Sequence, residues 1–511
     1  MYKNIFSLLV AVALIFQFIG CNSSEAKLIP HPNVLFVALD DMNDWASPLA
    51  GNGQALTPNL DAFAKESVNF TKNYCTSPGC NPSRSTLLTG LHTYNSGMYS
   101  NYQDWRKVPL LKGRPTLSHY FRQNGYFTAG AGKIFHYSQV DTLAWNEYYP
   151  SIKQPMPKEF IPENAPLNME PFKYMYNMFD WADLDISDEE TADFKSVQYI
   201  SQQLAKNHEK PFFLACGIYR PHLPWYVPKK YFDLFPLDKI QLPKTVENDT
   251  ADLGPRAKEL IRRGGNYHKY VIKNNQWKNA VQGYLASIAY ADAMLGHLLN
   301  NLKKSPYAEN TIVVIWSDHG WQLGEKMHWR KFALWENVTR TVMMIKVPAG
   351  LAALPDGAAK NKSTASLTSL LDIYPTLVEL CQLPERIDLD GHSLTPLLKN
   401  PEQNIARPII TTYDYGDYSI RHENWHLIKY IDGSEELYNL TNDPEEWYNL
   451  ANADSLTEIK NKLIAFIPKK RVDLPEESLI ELMEHHIPPV KSEAFYFSEG
   501  RKEWMKRFDN N

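Results

Sequence analysis

Uninterrupted apolar runs alternate with stretches of helical periodicity along most of this chain, and several runs end in polar clusters. Asn33-Val34-Leu35-Phe36-Val37-Ala38-Leu39 is apolar at successive positions from Val34 on, the pattern of a parallel strand buried on both faces, and it stops at Asp40-Asp41. Residues 127–132 predict a strand running into Lys133, and residues 212–216 a strand followed by Arg220-Pro221-His222. Residues 311–316 predict a strand ending in Ser317-Asp318-His319-Gly320, and residues 342–347 a further one. Between them, Thr57-Pro58-Asn59-Leu60-Asp61 predicts a helix start, with Thr57 as cap and Pro58 in the first turn. Residues 85–90 predict a helix after the Cys80 segment, and residues 282–299 a long one. Alternating strands and helices make an α/β fold, whose ligands sit outside the carboxyl ends of the strands. Polar clusters at several such ends point to one shared site on one sheet edge.

After about residue 400 the pattern changes. Residues 408–411, 426–430 and 436–440 read as short strands, Asp432-Gly433 as a hairpin turn, and residues 455–466 as a helix. This predicts a small antiparallel-sheet subdomain over residues 401–511, beside a main domain over residues 31–400. Residues 138–190 are irregular and rich in Pro, Tyr and acidic residues, and a loop of that length is usually functional.

The amino terminus reads as a targeting segment over residues 1–20: Lys3, then an uncharged, mostly apolar run from Ile5 to Ile19. Phe18-Ile19-Gly20-Cys21 resembles a bacterial lipobox, which implies a lipid on Cys21 and a tether over residues 21–30. The expectation is an exported protein, periplasmic or on the outer membrane or cell surface, touching the membrane only through that lipid. Composition narrows the classes. With 44% hydrophobic and 22% charged residues in 511, the chain is not a disordered one. A net charge of −5 leaves no basic excess for general nucleic-acid binding. Five cysteines without a CxxC pair exclude a disulfide scaffold and argue against a thiolate zinc site.

Cys80-Asn81-Pro82-Ser83-Arg84, followed by Leu88-Thr89-Gly90, resembles the signature of the type I sulfatases. The resemblance implies an alkaline-phosphatase-like fold, a central mixed sheet flanked by helices, and oxidation of Cys80 to formylglycine by a maturase. A hydrated aldehyde suits sulfate esters: one hydroxyl attacks sulfur, and deprotonation of the other expels sulfate, which a serine could not do. The resemblance further implies one Ca²⁺ ion on Asp40, Asp41, Asp318, His319 and residue 80, a hard cation on oxygen-rich ligands. Ser317-Asp318-His319-Gly320-Trp321 through Glu325 resembles the iduronate-2-sulfatase branch, which has His where most sulfatases have Asn. Gly132-Lys133-Ile134-Phe135-His136 resembles the same branch. It implies that Lys133 and Lys331 hold sulfate, Arg84 orders the diol and the carboxylates, His136 takes the proton that releases sulfate, and His222 contacts sulfate or serves the leaving alcohol. The family usually has Lys where Arg220 stands. Thr57–Asp61, residues 371–376, 390–394 and 436–445 extend the resemblance over nearly the whole chain.

The expected substrate is a sulfated oligosaccharide or polysaccharide, of ulvan type or from a glycosaminoglycan. Specificity is expected in residues 43–50, 98–106, 138–190 and 245–275, where Trp45, Tyr102, Trp105, Arg106, Trp181 and His268 are candidates for sugar contact, though packing is the commoner role for such residues. Two other classes fit less well: a phosphodiesterase or phosphonate hydrolase of the same superfamily, and a glycan-binding surface lipoprotein without catalysis.

Overall fold

The computed structural model describes residues 31–168, 179–262 and 266–473. The predicted targeting segment, the tether with Cys21, and the end of the C-terminal subdomain lie outside the described residues. Among those described, no helix is long and apolar enough to cross a membrane.

One eight-stranded sheet organises the chain. Its strands are β1 (Asn33–Leu39), β2 (Val68–Phe70), β3 (Phe127–Gly132), β4 (Glu147–Tyr149), β5 (Phe212–Ile218), β6 (Thr311–Ser317), β7 (Met343–Lys346) and β8 (Lys362–Thr364). Their spatial order is β8-β2-β7-β6-β1-β5-β3-β4. Only β7 runs against the others, so the sheet is mixed. The four strands that end in the predicted polar clusters, β6, β1, β5 and β3, are consecutive neighbours and parallel, which brings their carboxyl ends together on one edge.

The sheet separates two apolar layers. Along β1, Leu35, Val37 and Leu39 enter one layer and Val34, Phe36 and Ala38 the other, as the two-residue period of a strand requires. The first layer is filled from the helices Ala192–Ala205 and Trp277–Lys304, the second from Cys80–Thr89, Leu117–Gln123 and Ile373–Leu380. With both faces covered, β1 needs no polar position after Asn33, hence its unbroken apolar run from Val34 to Leu39.

A meander of four antiparallel strands follows: β9 (Ile409–Tyr413), β10 (Asp417–His422), β11 (Trp425–Lys429) and β12 (Glu435–Asn439), with the helix Thr457–Ile464 beside it. The sequence pattern missed β10, whose Asp417, Ser419 and Arg421 are polar yet buried. The Asp432-Gly433 turn is as predicted, Gly433 having φ 90°.

Two other expectations are corrected. The helix after the Cys80 segment begins at Cys80 itself. Thr57 does not cap the helix Pro58–Ala64: its hydroxyl donates to Ser47 Oγ, and the Asp292 carboxylate accepts the Asn59 and Leu60 amides at 3.0 and 2.8 Å. The irregular segment contributes β4 at the sheet edge and Trp181–Leu184, which pairs with Trp225–Pro228.

Candidate active site

Each strand end contributes its cluster through a local turn. After β1, Asp41 adopts φ 61°, a left-handed conformation that Asp tolerates better than most side chains. Its N–H donates to Asp318 Oδ1 at 3.1 Å, and its carbonyl accepts from the Tyr284 hydroxyl at 2.8 Å. After β3 and β5 the chains touch: a Cβ on Gly217 would lie 2.3 Å from the carbonyl of Lys133, and Gly132 has φ 72°. Glycine at both positions lets the Lys133 backbone seat directly against the next strand.

Cys80 is the first residue of the helix Cys80–Thr89 and so sits at the positive end of the helix dipole. Its Sγ accepts from Lys331 Nζ at 2.7 Å and lies 3.7 Å from Lys133 Nζ, 3.5 Å from His319 Nε2 and 3.8 Å from Asp41 Oδ1. All these side chains are buried. Burial pushes the Cys80 thiol up to about 12, against the pull of the two lysines, so the unmodified thiol is a poor nucleophile at neutral pH.

Three carboxylates face three cations around it. Arg84 donates to Asp318 Oδ2 at 2.8 Å and to Asp40 Oδ1 at 2.9 Å, and also to the carbonyls of Lys133 and Ile134. Lys133 donates to Asp40, and Lys331 to Asp41 Oδ1 at 2.7 Å. Burial works to raise all three carboxylates. For Asp40 it is outweighed by Lys133 and Arg84, and for Asp318 mainly by Arg84, so both are held low. For Asp41 burial prevails over Lys331 and its value rises.

The donor set fits a cation. Asp41 Oδ2 is buried without a hydrogen-bond partner among the described residues. His319 Nδ1 faces the Gly320 carbonyl at 3.0 Å, which can only accept, so Nδ1 carries the proton and the Nε2 lone pair points at Asp41 Oδ1, 3.4 Å away, and Asp318 Oδ2, 3.7 Å away. Ligand atoms of Asp41, Cys80, Asp318 and His319 lie within 4.8 Å of one another, as do those of Asp40, Asp41, Cys80 and His222. His222 donates from Nδ1 to the Leu223 carbonyl at 2.6 Å and turns Nε2 toward Asp41 Oδ2 at 3.8 Å. Burial first, then Lys133 and Lys331, hold His136 and His222 well below the ordinary imidazole value, hence neutral.

The structure therefore brings together Asp40, Asp41, Cys80, Arg84, Lys133, His222, Asp318, His319 and Lys331, with the charges of Lys133, Lys331 and Asp40 acting on His136. Arg220 turns away, to Glu159 Oε2 at 3.2 Å and the Tyr226 carbonyl at 3.1 Å. Trp45, Trp105 and Trp181 are core residues, packed on Tyr284, Phe135 and Trp225, so these three are not sugar contacts. Arg106 pairs with Asp104, and His268 accepts from Trp329 Nε1 at 3.2 Å. The sequence pattern missed Tyr137 and Tyr219, whose rings lie 5.0 Å from Lys133 Nζ. Both stand just beyond the ends of strands β3 and β5, the only signal that marked them.

A family model described as Sulfatase matches residues 32–383, and one described as N-sulphoglucosamine sulphohydrolase, C-terminal, matches residues 324–473. The chain is 35% identical over 492 residues to a protein named Sulfatase from Formosa agariphila, covering 93% of this chain and 94% of that one. It is 29% identical over 392 residues to iduronate 2-sulfatase of Mus musculus, covering 69% of each. Among solved structures, one of a protein in complex with its substrate D-glucosamine-2-N,6-O-disulfate is similar in fold, with a TM-score of 0.67 at 20% identity, covering 89% of this chain and 98% of that one.

Proposed function

This chain belongs to the sulfatase family and is a sulfuric ester hydrolase, and on that premise we propose that it removes sulfate from a sulfated carbohydrate, with Cys80 matured to formylglycine and Ca²⁺ as the metal. The observation that carries the proposal is the seat of Cys80: first residue of a helix, its Sγ 2.7 Å from the Lys331 ammonium and 3.7 Å from that of Lys133. The Sγ stands in for an oxygen of the matured side chain.

Asp40, Asp41, Asp318 and His319 would hold the ion, with residue 80 beside them. When bound, the ion polarises the ester and favours ionisation of a neighbouring hydroxyl. The matured side chain supplies a geminal diol, one hydroxyl to attack and one to release. The chain's own groups do the rest. Lys133 and Lys331 face the position of the incoming sulfate and offset the charge that develops as the ester oxygen leaves. Arg84 spreads its donors over Asp40 and Asp318 and so fixes the carboxylates against each other. His136, neutral, is suited to take the proton whose removal releases sulfate. His222 keeps its Nδ1 proton on the Leu223 carbonyl and presents Nε2 to the site.

The substrate class rests on the names of relatives, an iduronate sulfatase and a structure with a disulfated glucosamine. It extends to oligosaccharides of ulvan or glycosaminoglycan type. The sequence ending in Cys21 supports export as a lipoprotein, and labelling with a fatty acid tests it.

The test has two parts. Mass spectrometry of the peptide spanning Cys80, from cells with an active maturase, is expected to show a mass about 18 Da below that of Cys, the covalent exchange of thiol for aldehyde. Sulfate release is expected from sulfated oligosaccharides, with phosphate and phosphonate esters much slower. It is expected to fall on chelation and return with Ca²⁺. An unconverted Cys80, or faster phosphate release, defeats the proposal.

A further inference from the structure

Beyond the ends of β3 and β5 stand two pairs of a histidine and a tyrosine, and the pairs meet at Lys133. Tyr137 follows His136, with ring centres 4.6 Å apart at 70°, and the Tyr219 ring lies 4.6 Å from that of His222. Lys133 Nζ is 5.0 Å from the centre of either tyrosine ring. Solvent reaches the site at this end. Cys80, Asp40, Asp41, Asp318, His319 and Lys331 are at most 2% exposed, whereas His222 is 8% exposed and His136 is half-buried. The two tyrosines differ. Tyr219 is buried, its hydroxyl donating to the Leu223 carbonyl at 3.2 Å, and forms a wall. Tyr137 is 43% exposed, its hydroxyl oxygen 3.5 Å from that of Tyr219. It also has φ 47°, a left-handed conformation that a bulky residue keeps only where the surroundings hold it. A solvent-facing aromatic ring is therefore fixed at the opening, next to His136 and against Lys133.

Lys133 Nζ is also 3.7 Å from Cys80 Sγ. A sulfate held on that ammonium carries its ester group out on the side that solvent reaches, past Tyr137. The C–H face of a pyranose is apolar and packs on an aromatic ring, while the hydroxyls at its rim stay in water. We propose that Tyr137 is the platform on which the sugar bearing the scissile sulfate rests, so that its ring gives the site affinity for a carbohydrate beyond that for the bare anion. The inference rests on the sulfatase reading above. The ring carries this role, and the hydroxyl is not needed for it.

The full chain, with Cys80 conversion confirmed by mass, is assayed on sulfated disaccharides of ulvan and glycosaminoglycan type, with inorganic sulfate as the competing ligand. Inorganic sulfate presents the anion without the sugar. Covering the exposed part of one aromatic ring corresponds to about tenfold in affinity. Tyr137→Ala is therefore expected to lower kcat/KM on the disaccharide about tenfold, chiefly through KM, and to move the inhibition constant of sulfate by less than about threefold. Tyr137→Phe keeps the ring and is expected to hold kcat/KM within about threefold of the unaltered protein. An unchanged kcat/KM in Tyr137→Ala overturns the inference. A rise in KM matched by an equal rise in the inhibition constant also overturns it, since that marks a displaced Lys133 and not a lost sugar contact. A loss in Tyr137→Phe as large as in Tyr137→Ala overturns it too, because the effect then belongs to the hydroxyl. In each of these cases the unaltered protein still releases sulfate, and the sulfatase reading stands. No sulfate released from any disaccharide by the converted, unaltered protein defeats that reading, and this inference with it.

Discussion

Cys80 sits in a pocket that has no use for a thiol: buried, pushed up to about 12, and surrounded by groups that stabilise oxyanions. Cys80→Ala is expected to leave the fold intact, since little volume is lost, and to lower turnover by roughly 10³-fold or more, read as kcat on a sulfate ester beside an unchanged Tm. Lys331→Ala removes a donor aimed at residue 80 and is expected to cost about 10²- to 10³-fold in kcat. A residue far from the chemistry gives a pH prediction. His92 is buried, its Nε2 on the Ile410 carbonyl at 2.9 Å, and burial lowers its imidazole to about 4. The unfolded chain binds the proton near pH 6.5 and the folded chain only near 4, so this contribution is complete above about 6.5 and is lost as pH falls through that window, at up to about 1.4 kcal/mol per pH unit. Unfolding titrations at pH 7 and pH 5 are expected to differ more in the unaltered protein than in His92→Gln.

Between elements, two contacts position the site. β3 and β5 meet at Gly132 and Gly217, where the next Cβ would strike backbone and not a flexible side chain. Gly217→Ala is expected to destabilise by about 2–3 kcal/mol and to lower kcat by moving Lys133. Gly53, with nothing within 4 Å of its Cβ position, is the control: Gly53→Ala is expected to leave both Tm and kcat unchanged. The start of the helix Pro58–Ala64 depends on Asp292 from the helix Trp277–Lys304, and Asp292→Ala is expected to cost about 1–2 kcal/mol in denaturant unfolding.

At the scale of the whole molecule, buried charge joins the C-terminal meander to the main domain. Arg256, in the helix Pro255–Arg262, donates to Asp417 Oδ2 and Asp414 Oδ2 at 2.8 Å each and to Glu259 at 2.6 Å. Asp417 is buried and raised to about 6 even with that partner beside it. Arg256→Ala leaves the Asp417 carboxylate uncompensated and is expected to cost about 3–5 kcal/mol, seen as a lowered midpoint of chemical unfolding.

The sequence alone determined the elements whose signals are local. An unbroken apolar run is enough for a strand covered on both faces, and the four motif positions Cys80, Pro82, Ser83 and Arg84 are enough for the resemblance that implies the chemistry, because both signals lie between neighbours in the chain. Polar clusters at strand ends also foretold a shared edge. What the tertiary structure decided are the pairings across long separations. Lys331 reaches Cys80 across 251 positions and Asp41 across 290, and Asp292 replaces Thr57 as a cap across more than 230. Trp45, Trp105 and Trp181, candidates for sugar contact for which packing was the commoner expectation, are core: an aromatic side chain suits a stacking surface and a core alike, and only the packing around it chooses.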